Sequence, residues 1–411
     1  MYTDASTHVV SSDGVTAPIQ IRSGIHQGDP LSSILFNIAI NPILERIHNS
    51  GDVNHQALSF ADDLTPMDET YEGLQNKINI INYESQRLSI QLNPKKSPIE
   101  YLNDHESTQF LGKPTGFQLF KDNSSVESYI QTGQKILCSN LAPWQKIDAM
   151  KTFFYSSLTF PMRTAQLSKT QWEKVDKALR PLFKDTLKLP REVANEYLYG
   201  GRNSGSCAIP LAAEDSDLLL IDNAFKLLTS NDPTIKELAL ADLLNTTSKR
   251  TRPQTPTLED AALYLSGYNE GSYRTTTNAI SNVWTQARQA SSRIKVSWTI
   301  DDDGPSLHHL DITLEPRHRQ AIARTLRQQT RQVRDKRLHS LANQGKVMEV
   351  VAQSKASHHF IQNGDYIRFA DWRFIHRARL NLVPLNGAKM WQRGNNQHFL
   401  FAINPLLFHF A

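Results

Sequence analysis

Two short motifs constrain this 411-residue chain more than any other feature. Residues 27–30 read Gln-Gly-Asp-Pro, in which the aspartate suits a helix N-cap and the proline suits the first helical position. Residues 58–64 are mostly apolar, so we predict a short buried strand that carries two adjacent carboxylates, Asp62 and Asp63. Adjacent carboxylates supply the hard oxygen ligands that Mg²⁺ prefers. We therefore predict part of a two-metal phosphoryl-transfer site here, with the glycine-led helix as one wall.

An Asp-Asp pair is also an ordinary turn sequence, and that alternative stays open from the pair alone. The chain contains an example of such an ordinary acidic turn at 301–304. It follows the alternating segment 296–300, and no motif like Gln-Gly-Asp-Pro precedes it. The pair at 62–63 indicates a metal site only in combination with the Gln-Gly-Asp-Pro motif that precedes it.

Composition places the chain among globular proteins long enough for two or three domains, with 39% hydrophobic and 21% charged residues. Its only cysteines are Cys138 and Cys207, which exclude a disulfide framework or a cysteine-rich zinc module within this sequence. No apolar run approaches the ~18 residues of a membrane span, so we expect no membrane partner.

Charge is distributed unevenly along the chain. Residues 1–245 carry 22 basic and 29 acidic side chains, whereas residues 246–411 carry 23 basic and 12 acidic ones. Such asymmetry predicts a polyanionic partner for the C-terminal part; the alternative is a well-solvated basic surface. The stretch 317–337 is the most basic, with eight Lys or Arg against one acid.

The hydrophobic periodicity predicts an α+β fold. Up to residue 101, strand and helix patterns alternate, which suits a small mixed or antiparallel sheet with helices. From about residue 140 the apolar residues recur at helical spacing, and Ser168 is placed to cap one of these helices.

Six segments of the chain occur in an order that matches one known family. They include Gln-Gly-Asp-Pro within 19–37, Phe-Ala-Asp-Asp within 57–64, Asn-Pro-Lys-Lys within 92–97, Phe-Leu-Gly-Lys within 110–116, Ala-Pro-Trp within 141–146, and Asp-Trp-Arg-Phe-Ile-His-Arg at the start of 371–387. The segments resemble motifs of reverse transcriptases from non-LTR (LINE-type) retrotransposons of the R-two clade. They correspond to the nucleotide pocket, the metal site, a palm lysine, the primer grip, the thumb and a linker before a zinc knuckle.

The resemblance implies a role for each matching residue. Asp62 and Asp63 would hold Mg²⁺, and Lys96 (or Lys95) would protonate the leaving pyrophosphate. The remaining palm residues would contact nucleotide, template or primer: Gln27, Gly28, Asp29, Phe60 and, in the primer grip, Gly112. Basic residues of the thumb and the C-terminal region would contact nucleic-acid phosphate: Lys177, Arg180, Lys184, Lys188, Arg317, Arg324, Arg331, Arg373, Arg377 and Arg379.

The resemblance also implies a domain order, a set of partners and a location. Residues 1–105 would form a partial palm, 106–245 the primer grip and helical thumb, 246–258 a linker, and 259–411 a basic, mostly helical region. The partners would be an RNA template, a DNA primer or target, and deoxynucleoside triphosphates. The location would be the nucleus, where retrotransposition occurs, and otherwise the cytoplasm.

The sequence departs from the family pattern at both ends. In the family another strand, before the Gln-Gly-Asp-Pro turn, carries a third catalytic aspartate, but only 26 residues precede Gln27 here. The fingers, the knuckle cysteines and the endonuclease are also missing. We therefore expect an inactive fragment, truncated at both ends, of an RNA-directed DNA polymerase that acts by target-primed reverse transcription. Two alternatives are a catalytically dead nucleic-acid-binding remnant and an unrelated helical scaffold.

Overall fold

The fold is known from a computed structural model that describes most of the chain. The described residues are 6–12, 14–21, 24, 29, 31–50, 57–93, 100–103, 106–110, 113–116, 125–165, 167–251, 255–274, 281–353, 358, 360–361, 364 and 367–383. The chain divides into two compact units, Met1–Tyr101 and Leu102–Ala411. Within the described ranges, no helix is both long and apolar enough to cross a bilayer.

The first unit combines short strands with two helices. Its elements are β1 (Ser6–Thr7), β2 (Val10–Ser11), β3 (Gly14–Val15), β4 (Ile19–Gln20), α1 (Ser32–His48), β5 (Ala57–Phe60), β6 (Asp63–Pro66) and α2 (Tyr71–Arg87). Antiparallel pairing joins β1 to β4, β2 to β3 and β5 to β6. The small core consists of Ile43 and Ile47 from α1 and Ile81 from α2.

The sheet predicted for this unit is not present as a single sheet among the described residues. Each pair of strands there forms its own two-stranded antiparallel sheet. Helices and small antiparallel sheets are nevertheless both present, so the coarse α+β assignment holds. The palm and thumb layout remains a prediction.

The second unit is mainly helical. Its first elements are β7 (Thr108–Phe110), β8 (Lys113–Thr115), α3 (Ser125–Leu137), α4 (Pro143–Ala149), a π-helix (Met150–Phe154), α5 (Tyr155–Ser157), α6 (Thr159–Arg163), α7 (Lys169–Thr186), α8 (Glu196–Tyr199), a 3₁₀ turn (Arg202–Ser204) and α9 (Ala212–Leu228). The remaining ones are α10 (Pro233–Arg250), α11 (Leu258–Leu265), a 3₁₀ turn (Gly271–Tyr273), α12 (Val283–Ile294), β9 (Ser297–Asp301), β10 (Gly304–His309), β11 (Ile312–Leu314), a 3₁₀ turn (Pro316–His318), α13 (Ile322–His339), α14 (Gln344–Ala352) and α15 (Phe369–Arg379). Strands β9, β10 and β11 form an antiparallel sheet in the order β11-β10-β9.

Two hydrophobic clusters form the core of this unit. One joins α3 and α7 to the start of α9 and includes Trp172, Phe183 and, from α15, Trp372. The other joins the rest of α9 to α11, α12 and the three-stranded sheet, with Phe225 and Trp284 as large members. Helix α9 contributes to both clusters because most of its circumference is buried, as expected for a central helix.

The helical periodicity of the sequence located the main helices of this unit correctly. Ser168 is the N-cap of α7, and the side chain of Gln171 accepts a hydrogen bond from the Ser168 backbone N–H at 2.6 Å. Helix α9 likewise lies after residue 140, where the sequence predicted helices. Helix α10 continues to Arg250 and so overlaps the predicted linker at 246–258, where Thr246 and Thr247 are buried.

Candidate functional site

The acidic pair lies at the tip of the β5–β6 hairpin. Phe60 pairs with Asp63 across the hairpin, so Ala61 and Asp62 form a two-residue turn between the strands. Ala61 has φ +51°, in the left-handed region that costs a non-glycine residue about 1–2 kcal/mol. A non-glycine residue held in this conformation is a local strain of the kind that concentrates at functional sites.

The two faces of this hairpin have different environments. Leu64 packs against the α1–α2 core, together with Ala57. Because successive residues of a strand point to opposite faces, Asp63 and its cross-strand neighbour Phe60 lie on the other face. Phe60 is 63% exposed, and Asp62 and Asp63 are also exposed. The hairpin therefore presents an aromatic ring and two carboxylates outward, whereas its opposite face is anchored by apolar contacts.

The expectation that 58–64 forms one buried strand is wrong. The segment contains the turn, and Leu58 and Phe60 are exposed on the same face as Asp63. Burial was inferred from apolar composition, but the packing partners in this unit cover only the Leu64 side.

The start of α1 differs by a few residues from the sequence prediction. The helix begins at Ser32 with Leu31 as its N-cap, rather than at residue 30 with Asp29 as the cap. The Asp29 carboxylate still accepts a hydrogen bond from the Leu31 N–H at 3.0 Å, so it organises the turn before the helix. The other predicted nucleotide-site residues, Gln27, Gly28, Lys96 and Gly112, lie outside the described residues.

The donor set at the hairpin suits Mg²⁺ in kind but is partial in number. Asp62 and Asp63 offer the carboxylate oxygens that this ion prefers. Among the described residues, however, no group of three or more His, Cys, Asp or Glu is placed to hold a metal ion. We therefore derive no reaction step through a metal.

The predicted basic face of α7 is only partly available to a ligand. Lys177 is exposed, and Lys188 is exposed with Nζ 2.9 Å from the Asp185 carboxylate. Arg180 is half-buried and donates from Nε to the Tyr199 hydroxyl at 3.0 Å. The prediction that Lys184 contacts phosphate is not supported. The side chain is only 7% exposed, and its Nζ donates to the carbonyl oxygens of Arg191 and Val193.

The arginines of α13 divide into two groups. Arg324 is exposed, as is Arg317 in the preceding 3₁₀ turn, where it pairs with Glu315 at 2.8 Å. Arg327 pairs with Asp215 of α9 at 2.7 Å, and Arg334 donates from Nη1 to Glu214 of α9 at 2.9 Å. Acids from residues 1–245 therefore neutralise part of the basic C-terminal stretch, which the uneven charge distribution did not anticipate.

Arg331 also departs from the expected surface position. Its side chain is half-buried and donates from Nη2 to the Ala208 carbonyl at 3.2 Å. Burial lowers the pKa of its guanidinium, and the charges of Arg327 and Arg334 act in the same direction. It does not belong to an exposed phosphate-binding stripe on α13.

The arginines of α15 lie mostly against the protein interior. Arg379 is 3% exposed, donates to the Gly205 carbonyl at 3.0 Å and lies 4.4 Å from the centre of the Phe360 ring. The prediction that Arg379 contacts phosphate is therefore wrong. Arg373 is half-buried and donates to the Thr186 carbonyl at 3.4 Å, and Arg377 is half-buried as well.

A groove of about 480 Å³ was not foreseen from the sequence. It lies among α7, the start of α9, the end of α12 and α13, and its lining includes charged side chains of both signs. Lys169 and Arg293 converge there on the buried carboxylate of Asp217, with Arg293 Nη2 at 2.5 Å. These residues lie 48 and 76 positions from Asp217, and no local pattern signals such pairing.

Comparison with known proteins bears on the first unit most directly. Residues 3–115 match the family Reverse transcriptase (RNA-dependent DNA polymerase). This segment is therefore similar to a reverse transcriptase domain. It contains the β5–β6 hairpin, so the acidic pair lies within the matched region.

The relatives place the chain near R2-type elements. A Pol polyprotein from the type-1 retrotransposable element R2 of Nasonia vitripennis is 24% identical over 259 residues, which are 54% of this chain and 25% of that protein. The corresponding protein of Bradysia coprophila is 23% identical over 240 residues, 51% of this chain and 28% of its own length. An uncharacterized protein of Caenorhabditis elegans is 24% identical over 315 residues, 71% of this chain and 88% of its own length.

The chain is thus similar to Pol polyproteins of R2-type retrotransposable elements, and its residues 3–115 are similar to the reverse transcriptase family. It spans about a quarter of the length of the two R2 polyproteins.

Proposed function

We propose that this chain derives from an enzyme that copies RNA into DNA by two-metal nucleotidyl transfer during target-primed reverse transcription. The observation that supports this most is the strained hairpin tip, which presents Asp62 and Asp63 outward within the matched domain. Two carboxylates on neighbouring residues at a hairpin tip are ligands of the kind that a divalent cation takes from proteins.

Each residue has a proposed part in that chemistry. Asp62 and Asp63 would hold Mg²⁺, which when bound would neutralise the charge that develops on the transferred phosphoryl group. Phe60 would contact the primer end, Gln27 and Gly28 the nucleotide and template base, and Lys96 would donate a proton to the leaving pyrophosphate. Gly112 would shape the primer-grip turn. The proposed partners are an RNA template, a DNA primer or target and deoxynucleoside triphosphates, and the proposed location is the nucleus.

We expect the 411-residue chain by itself to be catalytically inert, because it offers two carboxylates where the resembled family uses three. A second candidate function is therefore the binding of nucleic acid without catalysis. The exposed basic side chains carry this alternative, and they are Lys177, Lys188, Arg317 and Arg324. Contacts of this kind are made with backbone phosphate and weaken with salt.

A primer-extension assay separates the two functions. The purified chain would be given an RNA template, an annealed DNA primer, deoxynucleotides and Mg²⁺, beside Asp62→Ala and Asp63→Ala. Asp302→Ala is a matched control, because Asp302 is an exposed acid in the turn between β9 and β10. We expect no extension by any of these proteins. Extension that disappears in Asp62→Ala and persists in Asp302→Ala would show that the chain is an active polymerase.

Fluorescence anisotropy with a labelled RNA–DNA hybrid tests the binding function. Arg324→Glu should lower the affinity and reduce the slope of log K against log salt by about one to two units, because it removes one phosphate contact and adds a repulsion. Lys236→Glu makes the same change of charge at an exposed position of α10 and should have the smaller effect. Equal effects of both variants would mean that α13 makes no specific contact.

A further inference from the structure

Three basic side chains of the second unit converge on one loop, residues 200–208. Lys151 donates from Nζ to the carbonyl oxygen of Cys207 at 2.5 Å. Arg331 donates from Nη2 to the carbonyl oxygen of the next residue, Ala208, at 3.2 Å. Hydrogen bonds to consecutive carbonyls place the two cationic groups beside each other, although the residues lie on the π-helix and on α13.

The third cation, Arg202, belongs to the same loop and opens its 3₁₀ turn. Its charge acts on Lys151: burial lowers the Lys151 pKa to about 8, and repulsion from Arg202 is the next cause, with Arg331 also contributing. Within the ranges that the structure covers, no carboxylate lies within ion-pair distance of these three side chains.

The nearest acids are already engaged or distant. Asp148, an exposed residue just before the π-helix, acts only weakly on Lys151. Asp215 attracts Arg331 but is ion-paired with Arg327 at 2.7 Å, and Glu214 is paired with Arg334. Asp335 accepts hydrogen bonds from the Gly201 N–H, so one further carboxylate lies at the loop, and the described residues compensate the three cations only in part.

The loop that carries these groups is held in place by a carboxylate of α13. The Gly201 N–H donates to both oxygens of Asp335, at 2.9 and 3.0 Å, and the Ser206 hydroxyl donates to Oδ1 at 3.3 Å. Ala208 adopts φ +51°, and Lys151 lies in a π-helix; both are conformations that cost energy and occur often at functional sites. Lys151 and Arg331 are thus held against the loop by their hydrogen bonds before any ligand arrives, and Arg202 lies in the loop itself.

We propose that Lys151, Arg202 and Arg331 form a binding site for a phosphate group, supplied by the backbone of a nucleic acid. Like charges held together at a partly desolvated position repel one another. A bound anion attracts each of them and so offsets this repulsion. Guanidinium and ammonium donors are the groups that proteins use for phosphate, through charge-assisted hydrogen bonds. The nucleic-acid source of the phosphate rests on the proposed function; the anion site does not.

The first test uses inorganic phosphate and the intact chain. Isothermal titration calorimetry at constant ionic strength should detect phosphate binding to the wild type. Arg202→Gln should weaken it about tenfold, because one charge-assisted contact is lost. Arg202 is half-buried, and its side chain donates no hydrogen bond within the described part of the protein, so this variant should fold. Lys236→Gln, which removes a charge at an exposed position of α10, should bind phosphate as the wild type does.

The second test identifies the source of the phosphate. A short single-stranded oligonucleotide without terminal phosphates should bind and should be displaced by inorganic phosphate. It should bind more weakly to Arg202→Gln and Lys151→Gln than to Lys236→Gln. Phosphate binding without oligonucleotide binding would overturn the nucleic-acid source. Absence of phosphate binding to the wild type, or its persistence in Arg202→Gln, would overturn the site itself. Neither result depends on primer extension. The phosphate site can therefore be confirmed or rejected even if the chain has no polymerase activity.

Discussion

The hydroxyl of Tyr197 lies 2.6 Å from Nδ1 of His376, and both side chains are completely buried. This contact connects α8 to α15, which are 179 residues apart in sequence. Nε2 of His376 is buried and has no hydrogen-bond partner in the described part of the chain. The imidazole can therefore satisfy one nitrogen only, and a second proton would be buried as an unpartnered charge.

This arrangement predicts a loss of stability in acid. Burial holds the pKa of His376 far below its usual range near 6.5, and the charges of Arg379 and Lys151 act in the same direction. The unfolded chain then binds a proton that the folded chain does not, so the free energy of unfolding falls as the pH drops below about 6.5. His376→Phe should reduce this slope by up to about 1.4 kcal/mol per pH unit.

The measurement is urea unfolding between pH 5 and 7.5, beside His308→Phe as a change at a histidine on the three-stranded sheet. His376→Phe also leaves the Tyr197 hydroxyl without its partner, so the double variant with Tyr197→Phe separates that constant cost from the pH dependence. A slope equal to that of the wild type would mean that His376 is protonated in the folded protein.

Asp176 predicts a pH dependence of the opposite sign. Its carboxylate accepts hydrogen bonds from the N–H groups of Ala212 and Ala213 at the start of α9, at 2.8 and 2.9 Å. Burial nevertheless raises its pKa to about 6. The folded state therefore binds the proton more tightly than the unfolded state, and the stability contributed by the protonated acid is lost as the pH rises from about 4 to about 6.

Asp176→Asn keeps one acceptor oxygen, so it can accept from only one of these two N–H groups, and it removes the buried charge. The difference in unfolding free energy between this variant and the wild type should change by about 2 kcal/mol in favour of the variant from pH 4.5 to pH 7.5, because only the wild type then carries the buried charge. Asp185→Asn, at an exposed position on the same helix, should change little with pH. Chemical unfolding at the two pH values measures both differences. A loss of stability in Asp176→Asn at pH 7.5 would show that the capping charge outweighs its burial.

The parts of the structure that were predicted correctly depend on local sequence. Ser168 and the apolar residues that follow it define α7 because capping and helical periodicity act within a few turns. The acidic pair at 62–63 was recognised as a motif because its residues are contiguous, although the segment was predicted as one strand and contains the turn Ala61–Asp62. The start of α1 was misplaced by two residues, within the range over which helix ends are poorly defined by sequence.

The roles of the basic residues depend on distant partners and were predicted less well. Arg327 meets Asp215 across 112 residues, and Arg379 meets Gly205 across 174. The sequence pattern of a basic helical stripe does not show whether the stripe faces solvent or pairs with acids on another helix. The burial of Lys184 and Arg379 follows from tertiary packing, which periodicity alone does not encode.

Arg327 and Arg324 allow a direct comparison of a paired and an exposed arginine on α13. Arg327→Ala leaves the largely buried carboxylate of Asp215 without its ion-pair partner, and we expect a loss of about 3 kcal/mol of unfolding free energy. Arg324→Ala should change stability by about 0.5 kcal/mol or less because the side chain is exposed. Thermal unfolding of both variants measures the difference. Similar losses for both would mean that the pair with Asp215 contributes little.

The last prediction concerns the support of the acidic hairpin in the first unit. Ile47 is 1% exposed and belongs to the α1–α2 core, against which Leu64 packs. Ile47→Ala should lower the opening free energy of α1 and α2 by about 2–4 kcal/mol, because this small core cannot refill the cavity. Phe60→Ala, on the exposed face of the hairpin, should leave it nearly unchanged. Hydrogen exchange of the helix amides measures both. If Phe60→Ala also speeds exchange, the aromatic ring is part of the packing, and its proposed contact with the primer end would lose its structural basis.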